Sequence, residues 1–181
     1  MGTTAEQVDK LAAAAASRVF GHLEGERLIP RFIDSYVMGF DRPQLKNPPE
    51  KFRERSNQLG REALLLLGAL VVEKCSAQFH RFRLGPWRLA DAAAGGRFEE
   101  KFWQALAAEL KLSAEVGASL AREAEPYRDS TQRIPLFSRR VAPLLDPMPQ
   151  MKEKAEHAGR KFFEALDQVA AQVATRLFRR S

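Results

Sequence analysis

The chain has 181 residues, 45% of them hydrophobic, which is enough for one sizeable core and short for two. Its 29 Lys and Arg residues exceed its 23 Asp and Glu residues, which gives a formal net charge of +6. Such an excess favours a polyanionic partner, either nucleic acid or an anionic membrane surface. A single cysteine excludes an internal disulfide and fits a reducing compartment, so we expect one cytoplasmic domain spanning residues 1–181.

The N-terminal residues predict an amphipathic helix. Thr3 or Thr4 can form a capping box with the acid or amide three residues further on. Apolar residues then recur at steps of three and four, at Val8, Leu11, Ala15, Val19 and Leu23. Pro30 is placed to open a second, short helix that reaches Phe40.

The most apolar stretch of the chain runs from Ala63 to Val72 and reads ALLLLGALVV. About 20 apolar residues are needed to cross a membrane, so this stretch predicts a buried core helix and no membrane span. We expect the helix to extend from about Glu50 to Arg83, because no proline intervenes before Pro86.

Two more long helices are predicted by apolar residues at helical spacing, one over residues 98–125 and one over 150–178. Gly95 and Gly96 indicate a turn or hinge before the first of them. Prolines between Pro126 and Pro149 leave room for at most a short helix, over residues 136–146. No block of alternating β-branched residues predicts a strand. The expected fold is therefore all-α, an irregular antiparallel bundle of five or six helices, three of them long.

Residues 80–88, HRFRLGPWR, form the first basic segment and interleave arginines with aromatic residues. Arginine binds phosphate through two donors, and aromatic rings stack on bases, so Arg81, Arg83, Trp87 and Arg88 are candidate nucleic-acid contacts. A structural explanation competes with this one. Cations in the last turn of a helix are favoured by the helix dipole, and the aromatic residues could anchor the corner in the core.

Two further basic segments could join the first on one surface. The second basic segment lies in the proline-rich region, where we expect a loop with at most the short helix named above, and contains Arg128, Arg133, Arg139 and Arg140. A basic loop is not explained by a helix dipole. The chain closes with RLFRR, residues 176–180. Solvation of an exposed surface is the competing explanation for the proline-rich segment.

No pattern of residues predicts catalysis, a metal or a cofactor. Cys75 and His80 are five residues apart and would not share a face of the expected helix, so they do not form a nucleophile and base. Glu153 and His157 share a face at four-residue spacing, but two ligands are too few for a metal site. Phosphate-binding glycine loops and paired cysteines are missing from the sequence.

The sequence thus favours a non-enzymatic subunit of a larger complex that contacts phosphates, in single-stranded RNA or DNA, without reading the base sequence. The alternative is a protein-interaction or scaffold subunit that binds a partner helix or an acidic surface, with no nucleic acid. In either case we expect a protein partner or a homo-oligomer.

Overall fold

The computed structural model describes residues 4–25, 50–84, 87–145 and 152–179, with side chains over 4–24, 54–79, 91–145 and 152–179. Within these ranges the chain forms six α-helices and one β-hairpin. The all-α bundle expected from the sequence is confirmed. The short helix expected from Pro30 to Phe40 lies outside the described residues.

The helices and strands follow one another with short connections. Helix α1 is continued by a π-helical turn, Gly21–Gly25, and α4 is followed by a 3₁₀ turn, Glu125–Tyr127. The elements are α1 Ala5–Phe20, α2 Glu50–Ser76, β1 His80–Leu84, β2 Trp87–Ala90, α3 Ala92–Glu109, α4 Ala114–Ala124, α5 Arg133–Leu145 and α6 Lys152–Phe178.

Helix α1 begins with the capping box that the sequence predicts. The Thr4 side chain accepts a hydrogen bond from the backbone N–H of Gln7, and the Gln7 side chain accepts one from the backbone N–H of Thr4. Val8, Ala15 and Val19 of the predicted apolar stripe are buried. This face packs on α3, where Arg97 of α3 pairs with Asp9 of α1 at 2.6 Å.

Contacts between α2, α5 and α6 give the directions of these helices. Glu62 pairs with Arg140, whereas Glu73 pairs with Arg133, so α2 and α5 run antiparallel. Helix α5 in turn runs antiparallel to α6, because its Phe137 contacts Phe162 and its Val141 lies against Gly159. Helices α2 and α6 therefore run in the same direction and end at the same end of the bundle.

Helix α3 crosses back along α2 in the antiparallel direction. Ser76 lies beside Gly95, and Gly68 lies against the six-membered ring of the Trp103 indole. Bulky buried side chains from nearly every element fill the space that these helices enclose. They include Phe79, Phe98, Phe102, Tyr127, Phe137 and Phe162.

Two predicted helix boundaries are wrong. Helix α2 ends at Ser76 instead of continuing to Arg83, and the residues beyond it form the hairpin. The long helix expected over residues 98–125 is divided into α3 and α4, and the turn between them is made by Lys111 with φ of 59°. No glycine or proline marks this turn in the sequence.

One interpretation of breaker residues is also wrong, and a second needs a correction of its bounds. Gly95 and Gly96 lie inside α3, which Asp91 opens by accepting a hydrogen bond from the N–H of Ala94 at 3.1 Å. In the proline-rich region, the short helix allowed over residues 136–146 is present as α5, but it starts three residues earlier, at Arg133, and spans 13 residues. Its first proline is in the first helical turn, where no backbone donor is needed, and Pro143 lies close to its end.

None of the helices within the described ranges is long and apolar enough to cross a membrane.

The contact between Gly68 and Trp103 yields a stability prediction. A Cβ atom at residue 68 would overlap the indole, so Gly68→Ala should lower the free energy of unfolding by about 1–3 kcal/mol through overpacking. Gly96→Ala is the matched control, because a Cβ there meets nothing within 4 Å and alanine favours the helix by up to about 1 kcal/mol. Urea denaturation of both variants measures the effect, and equal stability would contradict the packing described here.

Candidate nucleic-acid interface

Phe79 fixes where the hairpin leaves the bundle. Its ring is buried and contacts Phe98 of α3 at 5.6 Å and Phe178 of α6 at 5.5 Å between ring centroids. Its carbonyl accepts a hydrogen bond from the N–H of Asp91 at 2.9 Å, which closes the base of the hairpin. The base of the hairpin therefore lies where the ends of α2 and α6 meet the start of α3.

Strands β1 and β2 pair antiparallel, with Arg83 directly opposite Arg88 in the ladder. The register shifts between His80 and Phe82, because these residues face consecutive positions of β2. Arg81 is the extra residue in this irregularity, of the kind that forms a β-bulge. Three of the candidate arginines thus lie within one short two-stranded ribbon.

The hairpin removes one structural explanation for these arginines. Cations at the end of a helix are favoured by the dipole only within the last turn, and α2 ends at Ser76, well before Arg81. In the described chain the strands pair with each other and have only sparse backbone contact with the helices. The side chains of Arg81, Arg83, Trp87 and Arg88 lie outside the described residues, so the structure places these four by backbone alone.

The C-terminal basic segment reaches the same end of the bundle. Phe178, which contacts Phe79, is flanked by the exposed Arg176 and Arg179, and Arg180 lies outside the described residues. We define the hairpin end as strands β1 and β2 together with residues 176–179. The first and third basic segments therefore converge, as the sequence allowed but did not establish.

A groove of about 500 Å³ lies between the C-terminal parts of α2 and α6 at the hairpin end. Its walls include Ala77, Ala174 and Phe178, and Arg179 lies on its rim. Lys74, also in the groove, pairs with Asp167 of α6 at 2.9 Å. This groove combines small apolar residues with charged residues of both signs, Glu73, Lys74 and Arg179.

Arg133 has a structural position. Its side chain is 7% exposed, and its guanidinium donates to the carbonyls of Tyr127 at 2.6 Å and Arg128 at 3.2 Å. It also pairs with Glu73 at 2.5 Å. These contacts hold the turn before α5 against α2, so they explain Arg133 without a ligand.

Arg140 and Arg139 lie on helix α5, where a loop was expected. Arg140 pairs with Glu62 at 3.4 Å and lies over the ring of Tyr127, 5.4 Å from its centroid. Arg139 is exposed and donates to the carbonyl of Pro135 in its own helix at 3.2 Å. Because Glu62 is 14 residues before the end of α2, Arg140 lies about 20 Å along that helix from the hairpin end.

Sequence reasoning missed the partners that bind Arg140. The Tyr127 hydroxyl donates to Glu62, so Tyr127, Glu62 and Arg140 form one polar network between α2 and α5. Burial and the hydrogen bond to Glu62 raise the pKa of the Tyr127 phenol far above its ordinary value. Residues 62 and 127 are distant in sequence, and no local pattern brings them together.

Cys75 and His80 do not share a helix, so the expected helical spacing between them does not apply. Cys75 is buried in α2, and burial raises the pKa of its thiol to about 12. The thiol is therefore protonated at neutral pH and is a poor nucleophile. His80 begins β1, and its side chain is outside the described residues.

No group of three or more metal-ligating His, Cys, Asp or Glu residues occurs among the described positions, which include Glu153 and His157. Comparisons of the chain with protein-family models, with curated proteins and with solved structures gave no match.

Because Arg133 is buried and Arg139 is exposed, their alanine variants should differ in stability. Arg133→Ala leaves two carbonyls without their donor and should lower the free energy of unfolding by about 1–3 kcal/mol. Arg139→Ala removes an exposed side chain and should change it by no more than about 0.5 kcal/mol. Thermal denaturation compares them, and an Arg133→Ala protein as stable as the Arg139→Ala protein would contradict the structural position.

The raised pKa of Tyr127 predicts a pH dependence. The folded state favours the neutral phenol, so this stabilisation is complete below the ordinary pKa of about 10 and is lost as the pH rises through the folded value. The chain has two tyrosines, and Tyr36→Phe leaves Tyr127 as the reporter. Its tyrosinate absorbance should appear at higher pH in native protein than in urea-unfolded protein. Coincident titrations would refute the buried network.

Proposed function

We propose that this protein is a non-enzymatic binding subunit whose hairpin end contacts the phosphates of single-stranded RNA or DNA. The observation that carries the proposal is the pairing of Arg83 with Arg88 in the hairpin. Like charges directly opposite each other destabilise an antiparallel pair. An anionic strand lying along the ribbon would offset this cost, whereas the folding of the chain alone gives no reason for it.

The neighbouring residues support the same ligand. Arg81 and the exposed Arg176 and Arg179 add positive charge at the hairpin end, outside the ion pairs that hold α2 to α5. Trp87 opens β2 and is a residue of the kind that stacks on bases. Phosphate contacts with stacking bind a strand with little preference for its sequence.

Fewer arginines are proposed as phosphate contacts than the sequence alone suggested. Arg133 and Arg140 are engaged with carboxylates of α2, and Arg140 lies about 20 Å from the hairpin end along that helix. Arg139 is exposed on the same helix as Arg140. The proposed contacts are therefore Arg81, Arg83 and Arg88, with the end of α6, and the α5 arginines are secondary.

A partner protein at the same end is the second candidate. The groove between α2 and α6 favours it, because small residues such as Ala77 and Ala174 allow a helix to approach closely. Such an interface depends on apolar contact and should respond weakly to salt, whereas phosphate contacts release counterions and respond steeply.

Fluorescence anisotropy of labelled single-stranded RNA and DNA across a salt series tests the proposal. We expect binding whose logarithm falls linearly with the logarithm of the salt concentration. The triple variant Arg81→Ala, Arg83→Ala, Arg88→Ala should bind more weakly, with a slope shallower by about 2, because each phosphate contact on a single strand contributes about 0.7.

The control variant removes the same charge elsewhere. Arg18, Lys154 and Arg160 are exposed, and the last two precede the end of α6 by at least 18 residues. Their combined replacement by alanine should leave the salt slope nearly unchanged. Equal losses in the two triple variants would mean that only net charge matters. Absence of binding at low salt would contradict the proposal and favour the partner protein.

A further inference from the structure

A second, smaller cleft lies beside the hairpin end, on a neighbouring face of α2, and Glu73 lines both the groove and this cleft. It has a volume of about 250 Å³ and is enclosed by α2, α3, the end of α4 and the segment that leads into α5. Val72, Trp103 and Ala124 give it an apolar floor. Sites for drug-sized ligands occupy roughly 300–1,000 Å³, so this cleft suits a single small ring system.

Two ion pairs border the cleft, Glu73 with Arg133 and Glu99 with Arg128. Arg133 contacts its carbonyl and carboxylate partners through Nε and Nη2, and Arg128 contacts Glu125 and Glu99 through the same two atoms. In these ion pairs, Glu73 and Glu99 each use one carboxylate oxygen. Each pair therefore has an Nη1 donor and a second carboxylate oxygen that these contacts do not use.

The cleft is close to the hairpin along the chain. Ser76, the last residue of α2, lines the cleft, and three residues separate it from His80 at the start of β1. Even a fully extended connection of that length spans only about 14 Å. A strand held along the hairpin thus passes within reach of the cleft.

The geometry points to a nucleobase-binding cleft, in which a base stacks over the apolar floor and hydrogen-bonds at its edge to the two ion pairs. The inference rests on the proposed function, because the base would belong to a strand bound at the hairpin end. A free nucleotide would offer the same ring chemistry, so the two sources are separated by experiment.

A nucleobase fits the lining better than a simple anion or an aliphatic molecule. The edge of a base carries hydrogen-bond donors and acceptors side by side. The carboxylates of the ion pairs can accept from the amino groups of a base, and the guanidinium groups can donate to its keto oxygens or ring nitrogens. A carboxylate or phosphate would face the charges of Glu73 and Glu99 at the same rim. An aliphatic molecule would leave the four charged groups without added partners.

Trp103 provides a direct reporter of the cleft. The chain has two tryptophans, so a Trp87→Phe background leaves Trp103 as the only indole and keeps an aromatic ring at residue 87. Because Trp87 is itself a proposed contact, the anisotropy of the labelled strand is also measured with the unsubstituted protein, and that measurement decides whether the strand binds. In this background we would titrate a single-stranded oligonucleotide and, separately, nucleoside monophosphates. Indole emission reports occupation of the cleft, while the anisotropy of the labelled strand reports binding at the hairpin end. We expect the strand to quench Trp103 with the same midpoint as the anisotropy change.

A cleft-filling variant tests the site independently. Val72 is partly buried and lines the cleft, so Val72→Phe should abolish the quenching and weaken strand binding about tenfold, the effect of losing one stacked base. Leu64→Phe is the control, because Leu64 is also partly buried on α2 but does not line the cleft. It should keep both signals within about twofold. Thermal denaturation shows whether each variant is folded.

The outcomes separate this inference from the proposed function. Strand binding with unchanged Trp103 emission and full affinity of the Val72→Phe protein would overturn the nucleobase cleft and leave the hairpin end intact. Quenching by mononucleotides without strand binding would support the cleft with a free nucleotide as its ligand and overturn the proposed function. No response of Trp103 to either probe would overturn the cleft.

Discussion

The contact of Phe79 with Phe98 and Phe178 is the constraint on which the hairpin end of this molecule depends. It joins the end of α2 to the start of α3 and to the end of α6, and the carbonyl of Phe79 also closes the hairpin. Because α2 and α6 run in the same direction, this one cluster brings two separate basic segments to one end of the bundle. Removing the cluster would separate the arginines of the hairpin from those of α6.

The sequence predicts the helices best where apolar periodicity is long and regular. The stripe of α6, from Ala155 through Phe162 to Leu177, is buried as expected, and the apolar run that begins at Ala63 forms the core of α2. Boundaries were harder, since the turn at Lys111 has no glycine or proline. The end of α2 carried a usable signal that was missed, because Arg81, Phe82, Arg83 and Leu84 alternate with the period of a strand.

Prediction of the candidate site was partial for a different reason. Basic segments can be identified in the sequence. Which of their arginines are available on the surface depends on carboxylates that are distant in the chain. Arg133 and Arg140 belong to the same basic segment as Arg139, yet carboxylates of α2 engage the first two. Counting charges in the sequence therefore overestimated how many arginines of α5 are available to bind phosphate. The cleft beside α2 could not be predicted, because its walls come from four segments that only the tertiary fold brings together.

Amide hydrogen exchange of the protein with and without a single-stranded oligonucleotide shows whether the strand binds at the hairpin end. We expect the strand to slow exchange in residues 80–90 and at the end of α6, while exchange along α5 stays unchanged. Slower exchange along α5 with no change in the hairpin would contradict it, and would locate the ligand on the face that carries Arg139.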